Sequence, residues 1–204
     1  MTPRPYRMRR RQQAVDRTRA HILAAARGVL RSPASADFSL DAVARRARVT
    51  RLTVYHRFGS RRGLLEALFD DLAARGGLHE LRSAFHAADP EAALARYVTL
   101  FGRFWASARP VLRRLNALAV LDPELGRAIA ARQEWRRQGL QVIATRVAER
   151  HGRPAPAMHD PVIDTLFTLT SFATFDTLAG PRHTPASVAP LVLGLARATL
   201  GLTA

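Results

Sequence analysis

Between Ser39 and Ser60 the chain leaves room for two short helices and little else. Ser39 is a natural N-cap, and Asp41 follows in the first turn, where the helix dipole favours an acid. Leu40, Val43, Ala44 and Ala47 form an apolar stripe at helical spacing. A break follows at Arg48-Val49. Thr50 can cap a second helix, whose inner side carries Val54 and Phe58 at i, i+4, and Gly59 ends it. Ser60 caps a further helix through Leu64, Leu65, Leu68 and Leu72. Ahead of all three, Val15, Ile22, Leu23, Ala26, Val29 and Leu30 recur on one helical face. The periodicity predicts helices of about 17, 8 and 8 residues before the one at Ser60. A longer helix followed by two short ones around a tight turn is a helix-turn-helix unit.

The rest of the chain reads as helical too, giving an all-α fold of about nine helices with no strand pattern. Pro90 begins the strongest stripe, through Leu94, Tyr97, Val98, Phe101, Phe104, Trp105 and Ala108. Pro110 is expected to open a separate helix with Val111, Leu112, Leu115 and Leu118. Asp122-Pro123 reads as a cap followed by an N1 proline, with its helix running to about Arg150; Asp160-Pro161 and Thr184-Pro185 repeat that start. Residues 158–204 hold only five charged side chains: Asp160, Asp164, Asp176, Arg182 and Arg197. Helices there are apolar on more than one side, which marks an interface. A homodimer is therefore expected through helices at about 161–180 and 185–202. The division expected is a basic arm over 1–13, a helix-turn-helix domain over 14–62, and a ligand-binding and dimerisation domain over 63–204.

The charge is distributed unevenly. The net charge is +16, and every basic residue is an arginine. Residues 1–62 hold 16 arginines against Asp16, Asp37 and Asp41, whereas residues 63–204 hold 16 against 13 acids. One third of the chain therefore carries most of a field that attracts polyanions: DNA, RNA or an anionic membrane. Arg4, Arg7, Arg9, Arg10 and Arg11 are candidates for a neighbouring minor groove. There is no cysteine, which removes disulfide and thiolate chemistry. No apolar segment follows the basic N-terminus and no run of about 20 apolar residues occurs. The expectation is a cytoplasmic protein without a membrane span.

In a helix-turn-helix the second short helix enters the major groove. Its exposed side here offers Thr50, Arg51, Leu52, Thr53 and Tyr55, a mixture of donors and small apolar groups suited to base edges. Tyr55 and His56 are expected to face the duplex and Phe58 the core. The stretch Phe38–Leu65 resembles the DNA-binding region of the TetR family of bacterial regulators. The match runs through Leu40, Val43, Ala44, Ala47, Val49, Thr50, Thr53, Val54, Tyr55, Phe58, Ser60, Arg61 and Leu64. The resemblance implies an all-α homodimer on a palindromic double-stranded DNA operator, released by a small molecule. It implies base contacts from Arg51, Leu52, Thr53 and Tyr55, and backbone contacts from His56, Arg57 and Arg61. The caps Ser39 and Thr50 join the DNA-binding set. Two residues depart from the family pattern. Arg48 stands where glycine is usual in the turn, and Leu52 where a small residue is common.

Aromatic side chains concentrate in the C-terminal two thirds. Phe101, Trp105, Asn116, Trp135 and Phe167 are the candidate ligand-binding residues, and they favour an apolar or aromatic effector over a sugar or phosphate. His159, Asp160 and Asp164 do not converge on one helix face, so no metal site is expected, and no cofactor. The chain has no glycine-rich phosphate loop, no G-x-S-x-G elbow and no H-E-x-x-H, so it is not read as an enzyme. The competing reading is a basic α-helical protein that coats nucleic acid or a membrane surface without reading sequence.

Overall fold

The computed structural model describes residues 4–32 and 38–202, with side chains from Gln12 onward. Among these residues there are ten α-helices and two 3-10 turns, and no strand. The first four helices are α1 (Arg4–Arg31), α2 (Leu40–Ala47), α3 (Arg51–Phe58) and α4 (Arg61–Arg75). Then come α5 (Leu81–Phe85), α6 (Pro90–Ala119), α7 (Pro123–Arg150), α8 (Pro161–Leu169), α9 (Phe172–Ala179) and α10 (Ala189–Thr199).

The two short helices have the predicted bounds because their ends are chemically fixed. Ser39 accepts from the Ala42 amide at 3.1 Å, Thr50 from Thr53 at 3.1 Å, and Ser60 from Gly63 at 3.0 Å. Each such cap stabilises its helix by about 1 kcal/mol. The first helix is longer than expected, with α1 beginning at Arg4 rather than near Val15. Pro5 is tolerated at its second position because an amide there has no intrahelical acceptor. The side chains of the proposed arm, and most of the break expected after Arg31, lie outside the described residues. Ile22, Val43, Val54, Leu64, Leu65 and Leu68 are completely buried where these helices meet. Burying one such side chain contributes about 1.5–3 kcal/mol.

Arg48 closes α2 with φ 52 and ψ 42, the left-handed conformation that favours glycine. It lets the Val49 amide reach the Ala44 carbonyl at 3.1 Å. A residue with a Cβ is strained there by about 1–2 kcal/mol. Arg48→Gly is therefore expected to stabilise the protein by about 1 kcal/mol after the entropy of the unfolded chain is counted. That raises the thermal midpoint by about 2–4 °C for a chain of this size. A lower midpoint in a calorimetric scan would show that the Arg48 side chain holds the turn.

The C-terminal helices differ from expectation in two places. Pro110 does not start a helix; α6 runs through it to Ala119. The ring lies on the exposed face, so the Ala106 carbonyl that loses its helical donor is not trapped in the core. Meanwhile Val111, Leu112 and Leu115 continue the buried stripe. The helix expected over 161–180 is broken into α8 and α9 around Thr170. The Thr170 carbonyl accepts from the Trp105 indole at 3.1 Å, and Ser171 caps α9 through the Thr174 amide at 3.2 Å. The final helix is likewise preceded by a separate turn, Pro185–Val188.

Helix α7 folds back along α6, and Tyr97 on α6 donates to the Arg136 carbonyl at 2.8 Å. Burial pushes the Tyr97 phenol well above its ordinary range. Arg109 binds α9 to α6: its guanidinium donates to Asp176 Oδ1 at 2.5 Å, to the Gly180 carbonyl at 2.6 Å and to the His183 carbonyl at 3.0 Å. Arg113 adds a bond to Asp176 Oδ2 at 2.8 Å. Burial alone would raise the Asp176 carboxyl, but the bonds from Arg113 and Arg109 carry it below the usual carboxylate range.

A carboxylate with a depressed pKa stabilises the fold above its unfolded value of about 3.9. That stability is lost as pH falls through the folded value, because the unfolded chain takes up the proton first. Asp176→Asn is therefore expected to lower the unfolding midpoint at pH 7 and to flatten its decline below about pH 4. Parallel acid limbs for the two proteins would contradict this.

Candidate nucleic-acid interface and cavity

Helix α3 is anchored by one side and open on the other. Val54 is completely buried and Phe58 half-buried, with the Arg19 guanidinium 5.1 Å from the Phe58 ring. Opposite them, Leu52 is 63% exposed and Tyr55 55% exposed. The Tyr55 and His56 rings stand edge to face with centroids 6.5 Å apart, both outside the core. Arg51 and Arg57 are exposed as well. Arg51 Nη1 lies 3.7 Å from Asp41 Oδ2, a loose surface pair that leaves the guanidinium free to exchange partners. Thr53 is half-buried and shares a 2.8 Å hydroxyl contact with Thr50. Ser39 sits at the start of α2 with its oxygen occupied by the cap.

The corner that follows α3 is tight. A Cβ on Gly63 would lie 2.0 Å from the Phe58 carbonyl oxygen, so no side chain fits where α4 leaves α3. Arg45, Arg46 and Arg48 add exposed charge beside the reading helix. Arginines further along the chain do different work. Arg146 donates to the Phe85 and Ala87 carbonyls at the end of α5, and Arg153 to the Leu200 and Gly201 carbonyls after α10. Such caps satisfy orphan carbonyls and match the negative end of the helix dipole. Positive charge is therefore presented by the N-terminal helices and consumed internally in much of the remainder.

Arg61 departs from the expected backbone contact. Its Nε donates to the Phe38 carbonyl at 2.8 Å, Nη1 to Glu124 at 3.0 Å, and Nη2 to Asp122. Burial works against its charge, but the bonds to Asp122 and Glu124 raise its pKa above the ordinary value. In return, the Arg61 bond first of all lowers the Asp122 carboxyl. Arg61 thus ties the start of α4, directly behind the reading helix, to the start of α7. The acids that hold it lie more than sixty residues away in sequence.

A cavity of about 250 Å³ opens between α4, α5, α6, α7 and α9. Phe101, Trp105, Asn116 and Trp135, four of the candidate ligand-binding residues, line it. Phe101 and Trp105 are buried, whereas Trp135 is 74% exposed and stands at the opening. Asn116 donates its amide to the Leu112 carbonyl at 2.8 Å, leaving its oxygen free on the wall. Phe167 is not on the wall: it lies under the guanidinium groups of Arg136 and Arg137, at 3.9 and 4.2 Å. Phe69, Phe85, Gln133 and Arg136 line the cavity without having been expected. Arg136 had a readable signal. It falls in register with Leu125, Ile129, Leu140, Ile143 and Val147, on the buried stripe of α7.

A helix anchored behind, polar in front and surrounded by arginine defines a helix-turn-helix DNA-binding regulator. Residues 22–68 match the model of the bacterial regulatory proteins, tetR family. That match covers the helix-turn-helix segment, and over it the chain is similar to the tetR family. Solved structures share its all-α fold. A transcriptional regulator from Rhodococcus sp. Rha1 is 19% identical over 90% of this chain and 94% of its own, with a TM-score of 0.57. A protein from Mesorhizobium loti MAFF303099, described as a TetR-family transcriptional regulator, is 20% identical over 92% of this chain and 96% of its own, with a TM-score of 0.54. No curated protein matches the chain significantly. Among the described residues no helix is long and apolar enough to cross a membrane.

Proposed function

We propose that this DNA-binding regulator is a cytoplasmic repressor that holds a palindromic operator as a homodimer and releases it when a small apolar or aromatic molecule enters the cavity. The observation that carries the DNA half is the outward row of Arg51, Leu52 and Tyr55 on a helix whose other side is locked by Val54. Arg51 is suited to guanine O6 and N7, and Leu52 to a thymine methyl. Leu178, Leu191 and Leu195 support the dimer: all three are exposed on the charge-poor C-terminal helices. Two protomers joined there present two copies of α3, which is what a palindrome requires.

The Arg61 bonds support the release. Phe69 and Ala73 on α4 line the cavity together with α6 and α7 residues. A molecule that spreads these walls moves the start of α7 relative to α4, and Asp122 and Glu124 transmit the movement to Arg61. The residues behind α3 then shift, and the spacing of the two reading helices changes. The test is a reporter driven by a promoter that contains the selected operator. Expression of the protein lowers reporter output, and apolar or aromatic compounds from a small-molecule library restore it. Unchanged output would remove the repressor reading, and increased output would make the protein an activator.

A further inference from the structure

Arg132 and Arg136 of α7 line the cavity, Arg137 lies next to them off the wall, and the three are not equivalent. Arg132 pairs with Asp70 at 2.8 Å, and Arg137 pairs with Asp164. Arg136 lies between them, 5% exposed, on the cavity wall. Its Nε donates to Gln133 Oε1 at 2.8 Å; its Nη1 donates to the Phe167 carbonyl at 2.7 Å and to Thr170 Oγ1 at 2.6 Å. All of these acceptors are neutral. Among the described residues no carboxylate meets Arg136, and none lines the cavity. Burial lowers the Arg136 pKa to about 10, so the guanidinium still carries its charge at neutral pH. A buried charge without a counter-charge is costly.

We infer that the cavity takes an apolar monocarboxylic acid, aromatic or aliphatic, whose carboxylate is held by Arg136. This rests on the cavity being the effector site and names what the effector must carry. The rest of the wall fits the rest of such a molecule: Phe69, Phe85, Phe101, Trp105 and Phe172 offer aromatic surface to an apolar body. Gln133 uses its oxygen on Arg136, so its amide N–H groups remain to donate to the same anion. One uncompensated positive charge selects a monoanion. The other arginine on the wall, Arg132, is already paired with Asp70, so a phosphate monoester or a dicarboxylate would bring a second charge without an unpaired partner.

Both tryptophans of the chain, Trp105 and Trp135, line the cavity, so intrinsic fluorescence reports its occupancy. The probes are decanoate and 4-phenylbutanoate, each compared with its primary amide, near pH 7.5 with calorimetry in parallel. The amides keep shape and apolar area but lack the charge. The expected result is that at least one acid binds at least tenfold more tightly than its amide. In Arg136→Met that acid falls to the affinity of its amide, while amide binding changes less than threefold. Equal binding of acid and amide by the unaltered protein overturns the inference and leaves an effector cavity in place. A preference for the acid that survives in Arg136→Met overturns it as well. Binding of neither acid nor amide would remove the effector cavity itself and the inference with it. The comparison on the unaltered protein stands even if Arg136→Met fails to fold.

Discussion

Arg51→Ala is expected to weaken operator binding by about 30-fold to 10⁴-fold while leaving the affinity for scrambled DNA within a few-fold. The range follows from about 1–3 kcal/mol for each base contact, counted once per protomer in a dimer, at 1.4 kcal/mol per decade. The substitution costs the fold little. Arg51 is exposed, and its 3.7 Å pair with Asp41 is of the surface kind that contributes under about 1 kcal/mol. Anisotropy titrations of operator and scrambled duplexes at about 0.15 M salt separate the two affinities. An equal loss on both duplexes would mean that Arg51 meets phosphate and reads no base.

Leu191→Arg is expected to leave a folded monomer and to lower operator affinity by at least about 100-fold, since one half-site must then hold the DNA alone. Leu191 is 53% exposed on α10, with Leu195 at 43% one turn away and Leu178 at 37% on α9. In a two-fold interface one substitution acts twice, and each copy buries an unpaired guanidinium against apolar surface. Sedimentation velocity at about 10 µM measures the outcome in the range where specific dimers persist. A variant that remains dimeric would move the interface away from α9 and α10.

Parts of this protein were legible wherever the cause is local. Ser39, Thr50, Ser60, Asp122 and Asp160 cap their helices because a cap needs only its own first turn. The outward set of α3 was readable because Val54 and Phe58 fix which side faces in. Arg48 stood out by replacing the usual glycine, but only the fold shows that it adopts the left-handed conformation. What sequence reasoning missed depends on distant partners. Thr170 ends α8 by accepting from an indole 65 positions earlier. Arg61 looks like a phosphate contact until the fold brings Asp122 and Glu124 to it. Pro110 is a helix start by local rules and an interior residue once its ring finds the exposed face of a long helix. Phe167 is aromatic, but its helix α8 contributes nothing to the cavity wall, and its ring lies under two guanidinium groups instead.

Sequence-specific regulation by this protein requires that two copies of α3 read bases. Selection of bound duplexes from a randomised pool by the purified protein, at about physiological salt where non-specific binding falls to about 10⁻⁴–10⁻⁶ M, tests it most directly. The expected result is enrichment of a palindrome whose half-sites are separated by about one helical turn or a multiple of it, and whose enrichment is lost with Arg51→Ala. A bound pool with no shared sequence would contradict it, and would leave the basic face of residues 1–62 as a phosphate-binding surface.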